Sequence, residues 1–527
     1  VIRQEQTLSA YPTSTATISR DAIMVSLLLG ALSMVRVICV FLYGINSDEP
    51  QHLHVAWGWA QGLRPYRDVF DNHLPLFHIV TAPLFLFASE SPQLLTIARV
   101  AMLPLGFATI ALTALLGWRV AGSKGAIWSA VLASACPPLV LKTLEFRNDT
   151  LWCVLVLGAI ALVVAPSSRS RSFLIGLLAG LALLTSVKTV VIGLAVLLAI
   201  CIDRSRHGAR LQREELLRFT LATAGALLPI AIAVMWFARA GLLADFLYAA
   251  FGYNMRVSVE PGRRIAGAIA FPLLLVLIWR RAHLLDRRSR AFRIVALSIV
   301  CFIVVLLCAW PVITTRDFLP MLPLLAVIVA AVCGETLPLI AIAGMIAMVF
   351  YGNLWHPPPP APRQQIADVL RLTSPSDCVM DRKGETVFRR RPTKLMLEIV
   401  GRDLLRRGVV ADTIANDMIR TGTCVATSDL GELPSGAARF IDANFVNAGS
   451  VRVCGRELPH VAPGKEVTFQ IAIAERYALR SRVALDGVVL DGKPFTHPRW
   501  LAAGSHTLRA PQEIDGATII LAKAADL

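Results

Sequence analysis

The chain reads as a polytopic α-helical membrane protein of about eleven transmembrane helices followed by a C-terminal soluble α/β domain. Three observations carry that reading. Of 527 residues, 55% are hydrophobic and 17% charged, against roughly 45–50% and about 25% in soluble domains, and the mean hydropathy is +0.61. The apolar residues fall into helix-length runs between positions 22 and 350, and a proline-rich stretch, HPPPPAP at 356–362, separates them from a polar remainder. The net charge of +16 lies in short Lys/Arg clusters between apolar runs, the pattern of cytoplasmic loops and headgroup contacts. There is no continuous basic stripe, so no nucleic-acid partner is expected.

Residues 1–21 form a short polar tail with Arg3 and Arg20, placed in the cytoplasm. The first span covers 22–43. No small-residue cleavage site follows it, and it is too long for a signal-peptide core, so it is read as a retained anchor. Arg36 inside it has to face protein or snorkel. Further runs cover 98–117, 126–144, 151–165, 173–187, 189–202, 219–237, 265–279, 294–311, 318–332 and 338–350; several are shorter than the roughly 20 residues of a full span. The run 74–88 decides the topology. If it crossed, the basic clusters at Arg119/Lys124, Arg169/Arg171, 203–218 and 280–293 would lie outside. If it lies in or dips into the outer leaflet, all of them lie inside, as the positive-inside rule requires.

The second option gives a membrane domain over 22–355 with the N-terminus inside and the tail outside. It leaves five outer segments: 46–97, 145–150, the turn at Lys188, 239–264 and 314–317. Beyond the stiff linker at 356–362, residues 363–527 make a domain of about 165 residues. Helices are expected at 364–372 and 394–407, and strands at 438–446, 467–474, 482–489 and 518–522. Seven cysteines sit in or beside apolar runs, where Cys behaves as a small hydrophobe. Cys378, Cys424 and Cys454 lie in the tail without CxxC spacing, which argues against zinc. With the tail outside, two of the three are candidates for a disulfide, Cys378 with Cys424 the first pairing considered.

The outer segments gather ionisable groups from distant parts of the chain. The first holds Asp48, Glu49, His52, His54, Arg64, Arg67, Asp68, Asp71 and His73; the second Glu145, Arg147 and Asp149; the third Lys188; the fourth Arg256, Glu260, Arg263 and Arg264; the fifth Arg316 and Asp317. Acids for proton transfer and cations for a phosphate would then meet on one face of the membrane. Each residue also has a plainer reading. Ser47, Asp48, Glu49 and Pro50 make good helix-start chemistry. Arg64, Tyr66, Arg67 and Asp68 suit a surface loop, and His73 a core histidine. Lys188, inside an apolar stretch, is either a snorkelling residue in a tight turn or a ligand for a lipid phosphate.

The order of these pieces resembles the GT-C superfamily of polyprenyl-phosphate-sugar glycosyltransferases. The branch is that of protein O-mannosyltransferases, lipid A aminoarabinose transferases and rhizobial lipopolysaccharide glycosyltransferases. The elements are a first span, D-E at 48–49, a His/Trp stretch, G-L-R-P-Y-R-D at 62–68, N-H-L-P-L at 72–76, F-R-N-D at 146–149, T-S-V-K at 185–188 and T-R-D-F-L-P-M-L-P at 315–323. The resemblance covers about 21–351. It implies a GT-C-like fold and an inverting hexosyl- or pentosyltransferase at the outer face of a bacterial inner membrane. The donor would be a sugar on a polyprenyl phosphate, and the acceptor a hydroxyl on an envelope glycan, lipid or protein. By the same resemblance Asp48 is the general base, Glu49 assists or binds acceptor, and Asp149 is a second acid. Lys188, Arg316, His73 and Arg147 hold the donor phosphate; His52, Tyr66, Arg67 and Asp68 contact sugar or acceptor. No metal or other cofactor is expected, there being no D-x-D signature at a membrane face. The aminoarabinose branch carries Lys where this chain has His73, which favours a neutral hexose or pentose donor. The tail is expected to cap the outer face and help select the acceptor.

Two other classes use the same features. A transporter or flippase of lipid-linked sugars would show two halves with broken spans, and the sequence has no such symmetry. A non-catalytic envelope-assembly protein would tolerate Asp48→Asn.

Overall fold

The computed structural model describes residues 20–208, 212–256, 261–310, 313–481 and 486–527. The tail 1–19, Glu260 and residues 482–485 of the expected strand 482–489 lie outside these, as do the side chains of Arg20, Arg263 and Arg264.

The helices of the membrane region are α1 (Arg20–Leu42), α2 (Asp48–Ala60), α3 (Leu76–Thr81), α4 (Leu94–Ala135), α5 (Pro137–Lys142), α6 (Asn148–Val163), α7 (Arg169–Thr185), α8 (Thr189–Arg206), α9 (Arg213–Arg239), α10 (Leu243–Leu247), α11 (Pro261–Arg281), α12 (Arg290–Ala309), α13 (Met321–Val332) and α14 (Leu337–Tyr351). Ten of the eleven apolar runs each lie on one of them; the run 126–144 shares α4 with 98–117 and continues onto α5. Among the described residues six helices are long and apolar enough to cross a membrane. Helix α4 is two helices joined at Ala121 and Gly122, where Gly122 takes φ 69°, a left-handed conformation that side chains resist. The halves fold back so closely that a Cβ on Gly117 would stand 2.5 Å from the Gly125 carbonyl oxygen. Arg119 and Lys124 thus flank one tight turn.

Small residues allow further close helix contacts: a Cβ on Gly180 of α7, for example, would lie 2.3 Å from the Ala226 carbonyl of α9, the small-residue packing that brings membrane helices together. Arg36 faces protein, 2% exposed, and its guanidinium donates to Thr143 Oγ1 at 2.7 Å. The run 74–88 holds only α3 and a 3₁₀ turn, Ala82–Leu86. At about 1.5 Å per residue for α3 and about 2.0 Å for the 3₁₀ turn they extend about 19 Å, well short of a hydrocarbon core of ~30 Å.

The tail contains α15 (Ala361–Leu372), β1 (Val379–Met380), α16 (Ile399–Arg406), α17 (Ile414–Thr421), β2 (Val425–Thr427), α18 (Ser435–Asn444), β3 (Phe445–Ala448), β4 (Val451–Glu457), β5 (Glu466–Ile471), β6 (Glu475–Arg480), β7 (Val489–Leu490), β8 (Lys493–Pro494), β9 (Arg499–Leu501), β10 (Gly504–Arg509) and β11 (Thr518–Leu521). One sheet runs β1-β2-β4-β11-β6-β9 with β3 also on β4; a second runs β5-β10-β7-β8. Among the described strands only β1 and β2 pair in parallel. Their apolar faces and the helices share one core, with Val379, Val425, Val453, Ile519 and Ile520 at most 2% exposed.

Three local expectations change. The expected strand 438–446 is largely α18, followed by β3. The expected helix 394–407 starts only at Ile399. The disulfide joins Cys424 to Cys454, and Cys378 is free. The strand order decides this: β2 and β4 run antiparallel with Val425 opposite Val453, so Cys424 and Cys454 face each other with Cα atoms 4.7 Å apart, within disulfide reach.

The tail is fused to the first loop by a shared core. Ile366, Val387 and Phe388 pack with Leu53, Trp57, Phe77 and Leu94. Polar contacts frame it: His54 Nδ1 meets the Val387 carbonyl at 2.7 Å, and Arg389 pairs with Glu90 at 2.9 Å. Arg363 donates to Thr96 Oγ1 at 3.0 Å.

Candidate active site

At the junction of the first loop, the starts of α6 and α8 and the tail lies a cavity of about 670 Å³. Its walls place Asp48, His73, Arg147, Asp149 and Lys188 of the membrane domain opposite Arg382, Lys383, Glu398 and Arg402 of the tail.

Asp48 stands in the first turn of α2. The turn is closed by Asn46, whose Oδ1 accepts from Asp48 N at 3.1 Å and whose N–H donates to Glu49 Oε1 at 2.8 Å. Ser47, the expected capping side chain, makes no cap bond and lines the cavity instead. The Asp48 carboxylate, 27% exposed, receives Arg147 on one oxygen and the Lys383 ammonium on the other. Arg316 stands 4.0 Å behind it.

Arg147 is extended, just ahead of α6, and its Nε also donates to Asp149 Oδ2 at 3.1 Å. Lys188 precedes α8 in the turn after α7. Its ammonium lies 2.7 Å from Asp317, 3.5 Å from Asp149 and 5.7 Å from the Trp152 ring centroid. Asp317 is itself fixed by the Thr314 hydroxyl at 3.0 Å. The Lys188 head is therefore held inside protein by two carboxylates, and it does not snorkel. Asp48, Arg147, Asp149, Lys188 and Asp317 form one continuous chain of alternating charge.

His73 presents its ring to the cavity, with Nδ1 2.8 Å from Asp71 Oδ1. Burial works against its charge, but the Asp71 carboxylate outweighs this and raises its pKa. Asp71 is opposed by burial too, yet the His78 and His73 rings hold it well below the usual carboxylate range. Behind them His52 and His78 touch, Nδ1 to Nε2 at 2.9 Å, and burial depresses both, His78 to about 4. The ring whose charge its surroundings favour thus faces the cavity, in front of two whose charge burial disfavours. Across the cavity Glu398 accepts from Asn72 Nδ2 at 3.0 Å; burial raises its pKa.

Six expected site residues do not line the cavity. Glu49, 1% exposed, is an internal counterion: Arg99 holds it at 2.6 and 2.8 Å and the Phe146 N–H at 3.2 Å. It cannot meet an acceptor there, because its carboxylate is already enclosed. Arg316 is drawn off to Glu145 at 2.9 Å. His52 is fully buried behind His73. Tyr66 supports the loop, donating from its hydroxyl to the His73 carbonyl at 2.9 Å. Arg67 pairs with Asp245 at 2.6 Å, and Asp68 with Arg64 at 3.0 Å.

The sequence reading missed Lys383, Glu398, Arg382, Arg402, Asn72 and Asn254. The run Asp381-Arg-Lys-Gly-Glu385 was the only signal in the tail, and nothing local distinguishes it from a solvated turn. Among the described residues no group of three or more His, Cys, Asp or Glu side chains is arranged to hold a metal ion.

No family model matches the sequence, and no curated protein matches it. Solved structures do match. ArnT from Cupriavidus metallidurans, bound to undecaprenyl phosphate, superposes with a TM-score of 0.57 and 13% identity, over 82% of this chain and 97% of that one. The apo state of the same protein gives 0.58 and 14%, over 82% and 98%. An oligosaccharyltransferase from Archaeoglobus fulgidus, at 0.37 and 12% over 66% and 55%, is too distant to bear on the fold. Over four-fifths of its length, then, this chain has the fold of ArnT.

Proposed function

We propose that the protein is an inverting glycosyltransferase that moves a sugar from a polyprenyl-phosphate donor to a hydroxyl of an envelope glycan, lipid or protein. It would work at the outer face of a bacterial inner membrane, with the N-terminus cytoplasmic and the C-terminal domain periplasmic. One observation carries the reading: a carboxylate, Asp48, sits at the wall of a 670 Å³ cavity beside cations from three separate parts of the chain, Arg147, Lys383 and Lys188. Undecaprenyl phosphate is bound by a protein of the same fold.

In this scheme the donor is a phosphodiester of charge −1. Its phosphate draws Arg147 and Lys188 to itself and frees an Asp48 oxygen for the acceptor. The acceptor oxygen attacks the anomeric carbon as Asp48 takes its proton; the bond from that carbon to the phosphate oxygen breaks, and the electron pair leaves with polyprenyl phosphate, now a monoester of charge −2. Preorganised cations stabilise that added charge. Asp149, clamped between Arg147 and Lys188, orients them. Asp48 is the base because it is the more exposed of the two acids, 27% against 5%.

The experiment is Asp48→Asn in cells that otherwise lack the protein, read by mass spectrometry of lipid-linked sugars and envelope glycans. Loss of a general base costs about 10²–10⁴-fold in rate. The variant should therefore accumulate the same lipid-linked sugar as the deletion strain; normal glycans would remove Asp48 from the base role.

A further inference from the structure

The role of the C-terminal domain follows from one lysine. Lys383 projects from the turn 381–385, and this turn is built rigidly. Asp381, fully buried, accepts from Gly384 N at 2.7 Å, from Thr386 N at 3.0 Å and from the Thr386 hydroxyl at 2.9 Å, while Arg391 pairs with it at 2.8 Å. Gly384 takes φ +101°, and a Cβ there would stand 2.5 Å from the His54 ring. The turn is thereby pressed onto α2 at His54, six residues and nearly two helical turns beyond Asp48. A lysine on a free loop would keep its ammonium in water; this one is delivered, 10% exposed, to Asp48.

The surroundings leave that ammonium short of anion. Burial pulls its pKa below the ordinary lysine value; Glu385 and Glu398 oppose this, while Arg382 and Arg147 reinforce it. The shared Asp48 carboxylate is the counterion of both Lys383 and Arg147.

We propose that Lys383, supplied by the C-terminal domain, is a binding residue for the leaving phosphate, gripping the polyprenyl phosphate monoester once the bond to the sugar breaks. This rests on the glycosyltransferase reading above. The phosphate changes from −1 to −2 along the reaction, so one more cation is needed in the transition state than in the donor complex. Lys383 meets that need because it moves from Asp48 just as the protonated Asp48 ceases to be an anion: the acceptor proton neutralises the carboxylate, and the ammonium turns to the phosphate oxygen that receives the electron pair. The interaction strengthens as the reaction proceeds, so it bears on kcat more than on KM. The domain is then part of the active site, beyond any part in acceptor choice.

The test uses the full-length protein in detergent, with undecaprenyl phosphate as the probe and undecaprenol as the uncharged control, for wild type, Lys383→Met and Lys383→Arg. Thermal unfolding of each variant reports whether it is folded; Lys383→Arg keeps the charge and guards against a merely structural effect. The expected result is that wild type prefers the phosphate to the alcohol, that Lys383→Met weakens phosphate binding about tenfold or more, that Lys383→Arg restores most of it, and that undecaprenol binding is unchanged. Equal phosphate affinity in wild type and folded Lys383→Met overturns the inference and leaves the glycosyltransferase reading standing. A wild-type protein that does not distinguish the phosphate from the alcohol overturns that reading, and the inference with it.

Discussion

Glu49 offers a prediction in which the neighbouring aspartate and glutamate part company. Glu49→Gln keeps the shape of the side chain and removes its charge. In the folded protein Glu49 accepts from Arg99 at 2.6 and 2.8 Å, from Asn46 N at 2.8 Å and from Phe146 N at 3.2 Å. Arg99 is 1% exposed; its remaining partners are the carbonyls of Tyr43 at 2.6 Å and Gly44 at 2.7 Å, with Val40 at 3.4 Å. Those dipoles do not neutralise a guanidinium. Breaking a buried pair by removing one partner costs about 3–5 kcal/mol, because it strands the other charge. The amide recovers part of this through one hydrogen bond, so the lower end, about 3 kcal/mol, is expected. Graded SDS unfolding of purified protein measures it, with Arg99→Met/Glu49→Gln as the control: removing both charges should cost less than removing Glu49 alone. Turnover per folded molecule should stay within a few-fold of wild type, since the carboxylate does not reach the cavity. A fully stable Glu49→Gln protein with turnover reduced by 10²-fold or more would refute the reasoning and return Glu49 to the chemistry.

Two further outcomes are expected. Replacing Cys424 and Cys454 together by Ser removes a crosslink spanning 30 residues; the chain-entropy relation gives a loss of about 3–4 kcal/mol for the domain, measurable by denaturant unfolding of the full chain, while differential alkylation should label Cys378 whether or not reductant is present. His73→Gln should change the pH dependence of stability. The folded His73 pKa is raised above 6.5, so the stability its charge contributes is complete below about pH 6.5 and is lost as pH rises through the folded value. Wild type should therefore exceed His73→Gln most at acidic pH, and a difference in melting temperature that grows toward alkaline pH would contradict the Asp71–His73 pairing.

Much of the membrane domain was legible because each apolar run is a local record of helix formation and burial. The association of Asp48, Arg147, Asp149 and Lys188 was also legible, because each stands directly after or before such a run, where the chain must turn at the membrane face. The first loop misled in a consistent way. Glu49, His52, Tyr66, Arg67 and Asp68 are the polar residues that build the loop, and in sequence they look no different from those that face the cavity. Which way each points is set by its partner: Arg99 for Glu49 and Asp245 for Arg67, both distant in the chain, and the His73 carbonyl, seven residues on, for Tyr66. In the tail, alternation could not tell α18 from a strand, and spacing could not tell Cys378 from Cys454.

The sequence by itself determined that this is a chain of membrane helices with acids and cations gathered at the turns between them, because hydropathy acts over a single helix length. Tertiary structure alone decided which charges share a cavity and that Lys383, 335 residues from Asp48, completes it. Such a contact has no local energetic signature: it exists only once Val387 and Phe388 have packed against Leu53 and Phe77, and that core is assembled from segments with nothing in their own composition to announce the partner.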